Sequence, residues 1–206
     1  MFTSFARKLA ATLTLTATTA LAAQAQTAVQ YKTLYSFTNG GFAPVAMQMF
    51  GSGSNMAMLT FTGQGLTTVT SPSFIDYGTV TATGFGGSQT FTAVPVYLEI
   101  LQTLPSVGTS TVVGSISGAV TFNSSGATIN WNEPSRFATI GTATYELEKL
   151  SDGFTSINAP TSGPQTIRGY VSATTTTPEP STWALMGMGL VSLGGAAVRR
   201  RRAVTA

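Results

Sequence analysis

The chain has 206 residues, of which only 8% are charged and none is histidine or cysteine, against about 25% charged residues in a typical soluble domain. Ser-His-Asp triads, Cys-His pairs, zinc-histidine sites and disulfides are thereby excluded, and no cofactor is expected. The formal charge of +3 is an end effect: between residues 26 and 177, Lys32, Arg136, Lys149 and Arg168 stand against Asp76, Glu99, Glu133, Glu146, Glu148 and Asp152, four minus six, or −2, so no basic patch exists to bind nucleic acid.

The N-terminus reads MFTSFARKLAATLTLTATTALAAQAQ. Arg7 and Lys8 precede an uncharged run over 9–23, and Ala23-Gln24-Ala25 supplies a small-x-small site. That order predicts a cleavable secretory signal helix over 1–25, cut after Ala25 to leave Gln26 first.

Residues 26–173 are rich in Thr, Val, Ile, Phe and Tyr and punctuated by glycine, which marks strands and turns. Val29, Tyr31, Thr33, Tyr35 and Phe37 share one parity, and Asn39-Gly40-Gly41 ends that run. Further strands are expected over 44–50, 56–61, 66–70, 74–83, 89–101, 109–117, 119–122, 128–132, 139–150 and 166–173. Clusters such as Gly51-Ser52-Gly53-Ser54-Asn55 and Gly63-Gln64-Gly65 separate them. This spacing, without a helical period, predicts an all-β body over 26–173, an antiparallel β-sandwich or jelly roll. Asn123-Ser124-Ser125-Gly126 marks a hairpin. In 89–101, Phe91, Ala93, Tyr97 and Leu101 are expected to face one way and Val94, Val96, Leu98 and Ile100 the other. Two apolar faces imply a central strand, and Pro95 hints at a bulge.

Little in the body can do chemistry. Glu146 and Glu148 are two apart, so on a strand they would share a face, with Cα atoms roughly 6.5–7 Å apart. Such a pair suits action on a glycosidic bond; with Asp152 the three would suit calcium; a solvated face offset by Lys149 is the plain alternative. Trp131, with Tyr97, Tyr145 or Tyr170, is the candidate for stacking on sugar rings, and a buried core position is the competing reading. The stretch TATYELEKLSDGFTSINAP…TIRGYVSA resembles the closing strands of exported choice-of-anchor β-domains, a group that implies the fold and no particular activity.

The chain ends TTTTPEPSTWALMGMGLVSLGGAAVRRRRAVTA. Pro178 and Pro180 hold a spacer over 174–182 extended. Residues 183–198 are sixteen without a charge, predicting one short transmembrane helix within 183–206. At about 24 Å it falls short of the ~30 Å hydrocarbon core. Snorkelling arginines and an interfacial Trp183 would cover the difference. The positive-inside rule puts Arg199, Arg200, Arg201 and Arg202 in the cytoplasm and the body outside, the side the N-terminal signal also predicts.

Motif, glycine-rich apolar span and arginine cluster together resemble the PEP-CTERM sorting signal of Gram-negative bacteria. The resemblance implies an exosortase, a membrane-embedded cysteine transpeptidase, as partner. Pro178, Glu179 and Pro180 would be its recognition element, and Arg199 to Arg202 the stop-transfer anchor. It further implies transient residence in the inner membrane, then delivery to the surface or matrix of bacteria that make exopolysaccharide and biofilm. The expected function is a non-enzymatic surface or matrix protein; the alternative is a surface-held carbohydrate-binding module or, less directly, a polysaccharide-active enzyme.

Overall fold

Alternation along Thr27–Ser36 builds the first strand, β1, of the computed structural model. Val29, Tyr31, Thr33 and Tyr35 are buried while Ala28 and Lys32 are exposed, as a half-buried strand requires. The structure describes residues 26–84, 87–131, 136–174 and 187–189. The signal segment with Ala23 and Ala25, the Pro178-Glu179-Pro180 motif and Arg199 to Arg202 lie outside the described residues. Gly187, Met188 and Gly189 are helical, and among the described residues no helix is long and apolar enough to cross a membrane.

Eleven more strands follow: β2 (Val45–Phe50), β3 (Ala57–Gly63), β4 (Thr67–Ser71), β5 (Ser73–Gly84), β6 (Gln89–Leu104), β7 (Gly108–Val120), β8 (Thr128–Trp131), β9 (Phe137–Ile140), β10 (Ala143–Leu147), β11 (Phe154–Ser156) and β12 (Gln165–Ala173). They form two six-stranded sheets, ordered β11-β8-β7-β6-β1-β4 and β2-β3-β5-β12-β10-β9. The result is an antiparallel β-sandwich, with more strands than the eight of a jelly roll. Inward side chains of both sheets share one core, among them Tyr31, Leu98, Ile116 and Trp131 from the first and Phe61, Tyr77, Tyr145 and Ile167 from the second. Full burial of each such apolar side chain contributes about 1.5–3 kcal/mol, so the sandwich holds without a disulfide.

Departures from the expected strands have local causes. One extra residue between Phe91 and Val94, opposite Gly118 and Ile116, makes a bulge with Ala93 at φ 50°. The bulge switches parity, so Phe91 joins Val96, Leu98 and Ile100 in the core rather than facing away from them. Pro95 falls where β1 has already left β6, at the Ser36–Tyr97 pair, a stretch with β7 on one side only, where a missing N–H is tolerated. Segments 109–117 and 119–122 run on as one strand, β7. Segment 139–150 breaks at Gly141-Thr142, a two-residue hairpin between Ile140 and Ala143 with Gly141 at φ 60°.

Gly169 in β12 lies under the Tyr77 ring. A Cβ there would sit 2.3 Å from Tyr77 Cε2 and 2.3 Å from the Glu146 carbonyl oxygen. Gly169→Ala is therefore expected to lower stability by about 1–3 kcal/mol through overpacking, read as a lower denaturant midpoint with unchanged slope.

Candidate functional site

The body carries few charges, and most of those described sit together. Of the nine charged residues described over 26–174, seven lie at one corner of the second sheet: Asp76, Arg136, Glu146, Glu148, Lys149, Asp152 and Arg168. The strand order explains it, because β12 lies between β5 and β10 and brings segments far apart in sequence side by side.

Register places Phe137, Glu146, Tyr170 and Phe74 in one row across four strands. Glu146 sits between two cations, 3.5 Å from Arg136 Nη2 and 3.4 Å from Lys149 Nζ. Those cations also cover aromatic rings: Lys149 Nζ is 4.0 Å from the Tyr170 centroid and the Arg136 guanidinium 4.9 Å from that of Phe137. Tyr170 meets Phe74 edge to face at 5.3 Å. In the next row Arg168 pairs with Asp76 at 4.0 Å, both well exposed, a pair too loose to fix either side chain.

Glu148 does something different. β10 stops at Leu147, and Glu148 turns the chain with φ 45°, a left-handed conformation unusual for a residue with a Cβ. Its carboxylate is thereby directed inward and buried. Oε1 accepts hydrogen bonds from Thr155 Oγ1 at 2.8 Å and from the Arg168 backbone N–H at 3.1 Å. Thr155 Oγ1 in turn accepts from Trp131 Nε1–H at 2.9 Å. The relay from Trp131 through Thr155 to Glu148 ties the β8–β11 edge of one sheet to the β10–β12 part of the other. Buried and satisfied at each step, it favours one packing of the two sheets.

The structure chooses among the alternatives left open above: Trp131 takes the core position, Lys149 offsets Glu146, and the other readings fall. Glu146 and Glu148 do not share a strand face, because the turn at Glu148 reverses the alternation that would have aligned them. Glu146, Glu148 and Asp152 do not form a calcium site: one carboxylate is held by cations, one is buried, and among the described residues no three acidic groups converge. Trp131 is 1% exposed, so its ring offers no face to a sugar. Tyr145 is buried too, donating to Gln102 Oε1 at 2.7 Å. Tyr97 and Tyr170 are half-buried, and Tyr170 lies under Lys149.

Beside the row lies a cleft of about 430 Å³, lined by Phe74, Ile75, Asp76, Glu148, Leu150, Ser151, Gln165, Thr166 and Arg168. Phe74 and Leu150, 58% and 83% exposed, are the large apolar side chains of a lining otherwise mostly polar. Sequence reasoning passed over Phe74, although a signal was there: Ile75 and Tyr77 take the core parity of β5, which leaves Phe74 and Asp76 pointing out together.

Residues 176–202 match the family model of the PEP-CTERM protein-sorting motif. The chain carries this sorting signal. No curated protein matches the chain, and no solved structure does. The PEP-CTERM motif is an exosortase recognition signal and indicates export with membrane-associated sorting. The matched stretch takes in Pro178, Glu179, Pro180 and all four arginines, 199 to 202, and begins just after β12 closes at Ala173.

Proposed function

We propose that the chain is a non-enzymatic cell-surface or extracellular-matrix protein, exported across the inner membrane, held there transiently and released by an exosortase into an exopolysaccharide or biofilm matrix. The PEP-CTERM motif is the observation that carries the reading. Composition supports the passive role: with no histidine or cysteine in the chain, the usual nucleophile–base pairs are missing. Away from the charged corner the exposed residues include many threonines and serines and few charges, a surface that repels neighbours weakly and hydrogen-bonds to hydrated polymers. In this reading Pro178, Glu179 and Pro180 are gripped by the exosortase while Arg199 to Arg202 stop transfer.

The test is to replace Pro178, Glu179 and Pro180 by alanine in a host that has the sorting enzyme. The expected product retains its C-terminal segment, stays in the inner-membrane fraction and has a protease-resistant body. Release at the normal rate and normal size would overturn the reading.

A carbohydrate-binding module is the second reading. It is favoured by the row of aromatic rings and paired charges on the outer face of the second sheet, and not by Trp131.

A further inference from the structure

We infer that the cleft lined by Phe74 and Leu150 is a binding subsite for one neutral pyranose unit of a polysaccharide. The inference rests on the carbohydrate-binding reading and gives it an address. Its size, about 430 Å³, lies within the roughly 300–1,000 Å³ of small-ligand sites.

Elimination by chemistry narrows the ligand. A phosphate or polyanion needs cations free of counter-charge. The cations here are opposed, Arg168 by Asp76 and Lys149 by Glu146. A lipid or flat apolar ligand needs an enclosed apolar pocket, whereas this cleft mixes Phe74 and Leu150 with Asp76, Glu148, Gln165, Thr166 and Arg168. What remains is a molecule with an apolar face and a rim of hydroxyls, each both donor and acceptor. A pyranose has that form.

The parts fit those needs. Phe74 is exposed, and its edge-to-face contact with Tyr170 orients the ring, so a face of axial C–H bonds has a fixed surface to lie on. Asp76 and Arg168 are exposed and only 4.0 Å apart, a carboxylate beside a planar fork, which suits a pair of adjacent hydroxyls. Glu148 lines the cleft from a buried position, anchored through Oε1 by Thr155 and the Arg168 N–H. Glu148 is therefore ordered before binding, and its share of the entropic cost is small.

The experiment is affinity electrophoresis of the full chain, in a detergent without a sugar headgroup, through gels containing dextran, laminarin, galactomannan or alginate. Retardation by at least one of the three neutral polymers is expected, with little by alginate. Phe74→Ala should weaken that retardation about tenfold, and Asp76→Asn and Arg168→Gln should each weaken it as well. Leu66→Ala, at an exposed position away from the cleft, should leave it unchanged. All four replaced side chains are at the surface, and an unaltered melting temperature verifies folding. Retardation by a neutral polymer that survives both Phe74→Ala and Arg168→Gln overturns the site while leaving carbohydrate binding standing. No retardation by any neutral polymer overturns both, and retardation by alginate alone overturns the neutral-sugar assignment. None of these outcomes bears on the sorting signal, which is tested in cells.

Discussion

Trp131→Ala is expected to lower the stability of the sandwich by about 3–5 kcal/mol, a large share of the roughly 5–15 kcal/mol that holds a domain of this kind together. The ring is fully enclosed and packs directly over Gly114, where an added Cβ would sit 2.8 Å from Trp131 Cε3. Truncation leaves a cavity between the sheets and removes the donor to Thr155 Oγ1, upsetting the anchor of the Glu148 carboxylate. Trp131→Phe would keep much of the volume and lose only the N–H, so a smaller loss is expected, about 1–3 kcal/mol for the orphaned acceptor and reduced ring. Denaturant unfolding of wild type and both variants measures the series. A surface-stacking tryptophan would behave in the opposite way: Trp131→Ala would leave the denaturant midpoint in place and abolish retention by polysaccharide. That pattern would return the sugar site to Trp131 and take the core apart as described.

Local alternation makes most of this architecture readable in the sequence. The parity of Val29, Tyr31, Thr33 and Tyr35, the hairpin around 123–126 and the central place of β6 all follow from which residues can be buried and which can turn. Expectations failed where one residue resets the alternation. The extra residue before Val94 moved Phe91 into the core, Gly141 split one long strand into two, and Glu148 turned out of register. The short strand β11 (Phe154–Ser156) was missed, since three residues following a turn carry too little pattern to stand out. The charged corner was illegible for a different reason. Asp76, Glu146 and Arg168 are far apart in sequence, and only the pairing of β12 with both β5 and β10 makes them neighbours. The sorting signal is the reverse case: its information lies in the order of residues along 176–202, so it needs no fold to be read.

Alkali is expected to unfold the body cooperatively, between roughly pH 11 and 12.5. Tyr31, Tyr35, Tyr77 and Tyr145 are buried side by side, Tyr31 lying 6.5 Å from Tyr77 and 6.0 Å from Tyr145 between ring centroids. Burial raises the pKa of all four above the ordinary tyrosine value. Nearby negative charge adds to it, from Asp76 at Tyr31 and from Glu148 at Tyr35. In the unfolded chain each phenol ionises near pH 10. Below that pH both states keep their protons and the stabilisation is complete. As pH rises toward the folded values, the unfolded state loses protons that the folded state retains, and stability falls by about 1.4 kcal/mol per pH unit for each tyrosine. Four together make about 5–6 kcal/mol per unit, enough to exhaust an ordinary stability within one to two and a half units. Tyrosinate absorbance and circular dichroism followed along one titration should show these four rings ionising only as the strands are lost. Tyr77→Phe sharpens the test, because the Tyr77 hydroxyl is buried without a hydrogen-bond partner among the described residues. Its removal should leave stability at neutral pH no lower and move the alkaline midpoint upward. Gradual ionisation of all four with the sheets intact would mean that water reaches the tyrosines, and the shared core between the two sheets would be wrong.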